Sequence, residues 1–147
     1  MQHIHIASDH AGFDLKQALA RHLTERGHEV VDDGPFTDES CDYPVMAHKL
    51  CRAVVREECL GILICGSGLG MSMAGNRHPD IRAALCTTEL QASLARRHND
   101  ANVLCLGARI IGLELAVAIV AAFLGNGFEG GRHARRLSLL APVAENR

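Results

Sequence analysis

Gly61-Ile62-Leu63-Ile64-Cys65-Gly66-Ser67-Gly68-Leu69-Gly70-Met71-Ser72 is the stretch on which the reading of this chain turns. Its apolar first half has the length and β-branched content of a buried strand. The strand stops at a cysteine, and three glycines follow within five residues. From Met71 the sequence Met-Ser-Met-Ala can enter a helix running to about Asn76. Strand, glycine turn and helix N-terminus together make an anion site, because glycines let backbone N–H groups approach a ligand and the helix dipole favours negative charge. The same field falls on Cys65, whose thiolate would be the reactive form. A reactive group and an anion cradle therefore coincide.

Outward from this point the pattern alternates strand and helix. Strands are expected at 3–8, 28–33, 60–65, 81–86 and 102–106. Helices are expected at 13–26, where Phe13, Leu15, Leu19 and Leu23 mark the apolar face, and at 44–57, where Pro44 suits the first turn. Further helices are expected at 88–97, 113–124 and 132–140. Repeated β-α units imply a parallel sheet covered on both faces, within one domain spanning residues 1–147. The 113–124 helix is apolar nearly all round, with Glu114 its only charge. It belongs either at a subunit interface or buried centrally within one chain.

A net charge of −2 offers no general attraction to nucleic acid, and 3% aromatic residues leave few rings for bases to stack on. The longest apolar run, Leu115 to Leu124, is about half a membrane span. Asp9 and His10 interrupt the N-terminal stretch too early for a signal peptide, so the expected location is cytoplasmic. Six cysteines, at 41, 51, 59, 65, 86 and 105, show no C-x-x-C and no Cys/His pairing at zinc-site spacing. Cys51, Cys59, Cys86 and Cys105 fall in apolar or helical patterns and read as buried inert thiols.

In open parallel sheets ligands bind outside the carboxyl ends of the strands. Asp9-His10, Cys65 with its glycine loop, and Arg109 all follow strands. Asp9 can cap the following helix, which leaves the adjacent His10 without an explanation. His98-Asn99-Asp100 precedes a strand and so falls at the opposite edge. Either it is an exposed turn or it reaches a neighbouring subunit's site. Arg132 and Arg136, spaced i, i+4, project from one helix face and suit a phosphate or a plain solvated surface. The glycine loop is neither a Walker A sequence nor G-x-G-x-x-G, and Ser67 is not on a nucleophile elbow.

Taken together, Ser8-Asp9-His10-Ala11-Gly12, Asp42-Tyr43-Pro44, Cys65-Gly66-Ser67-Gly68-Leu69-Gly70, Arg97-His98-Asn99-Asp100-Ala101-Asn102, Gly107-Ala108-Arg109 and Glu129-Gly130-Gly131-Arg132-His133 resemble the type B ribose-5-phosphate isomerases. That family also holds galactose-6-phosphate and allose-6-phosphate isomerases, and the likeness runs nearly the full chain. The resemblance implies a three-layer α/β/α sandwich with a five-stranded parallel Rossmann-like sheet. It also implies a metal-independent aldose–ketose isomerase that needs no cofactor. Cys65 would be the base that moves a proton between C1 and C2, since Met71 stands where another branch carries a glutamate. Gly66, Gly68, Leu69 and Gly70 would hold the oxyanion through backbone N–H groups. His98 would open the furanose ring with Asp9 or Ser67, a serine where many relatives carry threonine. Asn99 and Tyr43 would position the sugar, and His10, Arg109, Arg132 and Arg136 would bind its phosphate. Family members are dimers with sites built at the interface, which implies a homodimer or homotetramer in which His98 and Asn99 serve the partner's Cys65. Six-carbon sugar phosphates, and a non-catalytic sensor of a phosphorylated ligand on a flavodoxin-like sheet, are the competing readings.

Overall fold

The computed structural model describes residues 1–140. Its strands are β1 (His3–Ser8), β2 (Glu29–Gly34), β3 (Leu60–Cys65), β4 (Ala83–Leu85) and β5 (Val103–Gly107). Its helices are α1 (Phe13–Glu25), α2 (Tyr43–Glu57), α3 (Leu69–Gly75), α4 (Glu89–Asn99), α5 (Leu113–Leu124) and α6 (Arg132–Leu137), closed by a 3₁₀ turn at Ser138–Leu140. The sheet order is β2-β1-β3-β5-β4, and every pairing is parallel.

Strand side chains alternate between two cores because successive residues point to opposite faces. Ile4, Ile6, Ile62, Ile64, Leu104 and Leu106 pack with Leu19 and Leu23 of α1, Ala92 and Ala95 of α4, and Ile119, Val120 and Phe123 of α5. Ala7, Leu63, Cys65, Val103 and Cys105 face α2 and α3, where Leu50, Cys51, Val54 and Met71 cover them. Burying each large aliphatic side chain contributes about 1.5–3 kcal/mol, so the two layers of helices hold the sheet from both sides. The three-layer sandwich expected from the sequence is present.

Element boundaries differ from expectation at three places that matter. Strand β4, an edge strand paired to β5 alone, covers only Ala83–Leu85, not 81–86. Before it, the Arg82 N–H donates to Asn102 Oδ1 at 2.8 Å instead of entering a ladder. Helix α3 begins at Leu69 rather than Met71, directly after Gly68 in the left-handed region at φ 79°. Helix α4 runs past Arg97 to Asn99, with Thr88 as N-cap accepting from the Gln91 N–H. It stops at Asp100, whose φ is 45°, where Arg82 and Arg96 both bond the Asp100 carboxylate. His98 and Asn99 therefore sit on a last helical turn. Helix α5 buries Ala116, Ile119, Val120 and Phe123 while Leu113 and Leu115 stay exposed. One side of this helix is core and the other is uncovered in a single chain. On α1, Lys16 is buried more completely than the expected Leu15, and its ammonium reaches Asp32 and the Pro35 carbonyl.

Candidate active site

Strand β1 leads outward to β2 on one side and pairs with β3 on the other, so the order reverses between β1 and β3. The carboxyl ends of those strands open a crevice of the kind that takes ligands. Cys65 ends β3 there, 5% exposed, and its Sγ accepts the Gly68 N–H at 3.1 Å. A backbone donor aimed at sulfur stabilises a thiolate more than a thiol. Burial pushes Cys51 and Cys86 up to about 11 and holds Cys105 well above the ordinary thiol range, which keeps them protonated. Cys59 is only half-buried, yet burial and the nearby Glu57 charge also raise it.

The glycine loop owes its shape to close contacts. A Cβ on Gly68 would come within 2.4 Å of Leu85 Cδ1 and 3.0 Å of the Leu106 backbone. A Cβ on Gly70 would enter the Tyr43 ring at 2.7 Å, so Tyr43, though partly exposed, lies directly on this loop. Gly66 is covered by the Arg109 guanidinium, whose Nη1 is 3.1 Å from where a Cβ would be. Arg109 is fixed there because its N–H donates to the Gly66 carbonyl at 2.9 Å and the Ala108 N–H to the Cys65 carbonyl at 2.8 Å. Two loop donors are already engaged: Gly68 with sulfur, and Leu69 with Ser67 Oγ at 3.3 Å. The Gly70 N–H lies in the first turn of α3, where backbone donors have no intrahelical acceptor.

Across the crevice, Asp9 is buried and its N–H bonds the Ile64 carbonyl at 3.0 Å. Its Oδ1 accepts the Gly12 N–H at 3.1 Å, so Asp9 shapes the turn ahead of α1 while Gly12 occupies the N-cap position itself. His10 is exposed beside it, and its Nδ1 accepts the Cys41 N–H at 3.3 Å. Asp9, His10, Tyr43, Cys65, Gly66, Ser67, Gly68, Leu69, Gly70 and Arg109 are thus gathered at one edge of the sheet.

His98, Asn99, Arg132 and Arg136 do not join them. Helix α4 runs back against the strands, and its end is tied through Asp100 to Arg82, ahead of β4. There the His98 ring stacks on His133 at 4.2 Å between centroids and 10° between planes. Glu129 Oε2 is 3.7 Å from His98 Nε2 and 3.6 Å from His133 Nε2, while its other oxygen accepts from Arg97 Nε at 2.6 Å. Arg97 holds the Glu129 carboxyl below its ordinary range. Burial, then the His98 charge, lowers His133. Arg132 and Arg136 are exposed on α6 beside this stack. Glu129 and His133 were not among the site residues read from sequence. Their own i, i+4 spacing, interleaved with that of the arginines, was the available signal. Two clefts, of about 610 and 510 Å³, lie elsewhere, the first lined by Met1, His22 and Leu124 and the second by Val54, Cys59 and Arg96, and neither includes Cys65.

The chain resembles known proteins over nearly its whole length. The Ribose/Galactose Isomerase profile matches residues 4–140. Ribose-5-phosphate isomerase B of Escherichia coli (strain K12) is 46% identical over 148 residues, covering 100% of this chain and 99% of that one. The crystal structure of a ribose 5-phosphate isomerase from Thermotoga maritima superposes with a TM-score of 0.94 at 50% identity, covering 97% of this chain and 99% of the other. A Mycoplasma genitalium ribose-5-phosphate isomerase B, solved with bound ribulose-5-phosphate, gives 0.91 at 43%, covering 94% and 93%. With the profile matched over nearly its whole length and its motif blocks sorted onto the two edges of one parallel sheet, this chain belongs to the Ribose/Galactose Isomerase family.

Proposed function

We propose that this chain is an aldose–ketose isomerase interconverting D-ribose 5-phosphate and D-ribulose 5-phosphate, working in the cytoplasm as a single domain of residues 1–147. The observation that carries the reading is Cys65 at the β1/β3 crevice with a backbone N–H on its sulfur. Full-length likeness to relatives named for this reaction supports it.

The Cys65 thiolate takes the C2 proton of the open-chain aldose, leaving an enediolate. The same thiol returns a proton to C1 while the hydroxyl proton passes from O2 to O1, and the thiolate is regenerated. The developing oxyanion is held by backbone N–H groups of the Gly66–Gly70 loop, Gly70 foremost since Gly68 and Leu69 have other partners. Tyr43 walls the pocket over Gly70, and Arg109 and His10 meet the phosphate. His98 opens the ring, with Ser67 or Asp9 assisting, and Asn99, Arg132 and Arg136 complete the sugar and phosphate contacts.

Because His98 and Cys65 lie at opposite edges, the complete site takes His98, Asn99, Arg132 and Arg136 from a second copy, in a homodimer or a homotetramer of such dimers. The exposed apolar side of α5 supports association. Mixing Cys65→Ala with His98→Ala protomers, each inactive alone, is expected to restore roughly a quarter of wild-type activity, because half the dimers are hybrids with one intact site. No recovery despite demonstrated subunit exchange rejects the shared site. The reaction itself is tested with ribose 5-phosphate in chelator, allose 6-phosphate alongside. Turnover with the five-carbon sugar that vanishes in Cys65→Ala supports the reading. Preference for the six-carbon sugar, or binding without turnover, overturns it.

A further inference from the structure

At the amino-terminal end of β1, His3 and His5 point to the same face of the sheet, two residues apart. The end of α2 and the turn into β3 lie over that face. His3, His5 and Cys59 offer ligand atoms that all lie within 4.8 Å of one another. Glu57 Oε2 sits between the rings, 2.9 Å from His3 Nε2 and 3.0 Å from His5 Nε2.

The remaining nitrogens are also committed. His5 Nδ1 meets Asp33 Oδ2 at 2.7 Å, and His3 Nδ1 meets Glu29 Oε2 at 3.1 Å. A carboxylate on one ring nitrogen fixes the tautomer and aims the other nitrogen's lone pair at a metal. Both rings here are oriented that way, toward one point. Glu57 is braced in turn, with Arg56 Nη2 on its Oε1, which leaves Oε2 for the shared point.

Two imidazole nitrogens and one carboxylate oxygen meet at a single point, where a cation can replace the protons that bridge the rings to Glu57. Electrostatics favour a cation there, since the C-terminal end of the 15-residue α2 projects partial negative charge onto the same place. His3, Glu57 and Cys59 are each partly exposed, so the group is not sealed in the core.

We propose that His3, His5, Glu57 and Cys59 form a binding site for a divalent transition metal ion of the zinc class, clamping β1 to the α2–β3 turn. Two imidazoles, one carboxylate and one thiolate select a borderline-soft ion such as Zn²⁺ or Co²⁺ over Mg²⁺ or Ca²⁺. Metal–nitrogen bonds of about 2.0–2.1 Å and a metal–sulfur bond of about 2.3 Å place tetrahedral ligand atoms roughly 3.3–3.7 Å apart. The observed spacings need only side-chain adjustment to reach that. The Cys59 proton leaves to solvent when the metal–sulfur bond forms.

The site is separate from Cys65. His3 lies about 17 Å along β1 from Ser8, which borders the crevice. The metal serves the fold and takes no part in the isomerisation. A second group with metal-binding geometry among the described residues, His98, Glu129 and His133, belongs to the proposed sugar-phosphate site.

The test is titration of metal-stripped, intact protein with Co²⁺, followed by its absorption spectrum, with Zn²⁺-dependent thermal unfolding in parallel. Wild-type protein is expected to bind one Co²⁺ at this site with a thiolate-to-metal charge-transfer band, and Zn²⁺ is expected to raise the unfolding temperature. Cys59→Ser removes the band, and His3→Ala weakens binding by at least about 10–100-fold, both with unchanged circular dichroism. A band that survives Cys59→Ser, uptake abolished by His133→Ala but not by His3→Ala, or no uptake by folded wild type at micromolar Co²⁺ overturns the proposal.

Discussion

The two edges of the sheet are built by different means. At the carboxyl edge the crevice is made of backbone. Gly68 and Gly70 admit neighbours where a Cβ would collide, and carbonyls of Cys65 and Gly66 fix the Arg109 loop. At the amino edge, side chains do the positioning. His98, His133, Glu129 and Arg97 hold one another through stacking and charge, and nearby Gly130 and Gly131 have nothing within 4 Å of an added Cβ. A base that must meet a carbon-bound proton needs the rigidity of the first edge. The second edge, exposed and joined by long side chains, suits a surface completed by another molecule.

Substitutions should separate the two edges. The largest expected effect is at Cys65. Alanine there lowers kcat by about 10²–10⁴-fold or more with folding intact, measured by coupled turnover and circular dichroism. Next is Gly68→Ala, which combines a left-handed φ with a clash against Leu106 backbone. It should lower stability by about 1–3 kcal/mol or distort the loop, read from denaturant midpoints and KM. Gly130→Ala, equally left-handed at φ 68° but in open space, should cost only about 1 kcal/mol and leave kcat unchanged. Equal losses at the two glycines would erase the contrast.

The smallest effect is pH-dependent and confined to the amino edge. His133 is lowered in the fold from its ordinary 6.5, chiefly by burial, so the unfolded chain binds more protons in that window. Its contribution to stability is complete above about pH 6.5 and is lost as pH falls through the lowered value. Glu129, lowered from 4.5 chiefly by Arg97, adds a second loss below pH 4.5. His3, raised by Glu57, opposes this slope, and His78, lowered by burial, adds to it. The His133 part is therefore read as a difference: between pH 7.5 and 5.5 the wild-type midpoint should lose more, or gain less, than that of His133→Gln. A slope that the substitution leaves unchanged would place the titrating group elsewhere.

Much of this was legible in the chain because it is written in local pattern. The run from Ile62 to Gly70 announces strand, turn and helix, and the alternation around it implies parallel pairing with helices on both faces. The shortness of β4 was hidden, since the Arg82 N–H is drawn off by the Asn102 side chain 20 residues away. The extension of α4 to Asn99 was hidden as well, because its stop depends on Arg82 bonding Asp100 across 18 residues.

The alternation of strands and helices, the place of Cys65 at the carboxyl end of a strand, and the position of His98 ahead of one follow from periodicity and from the direction of parallel crossovers, which are properties of sequence. Strand order is set by tertiary pairing. No spacing rule could join His3 and His5 to Cys59, more than fifty residues away, or stack His98 on His133. Those juxtapositions arise where a strand passes under the end of α2 and where α6 folds back over α4. Side-chain convergence of that kind is decided by packing, since it depends on which helix end covers which residue and not on the order in which the residues occur.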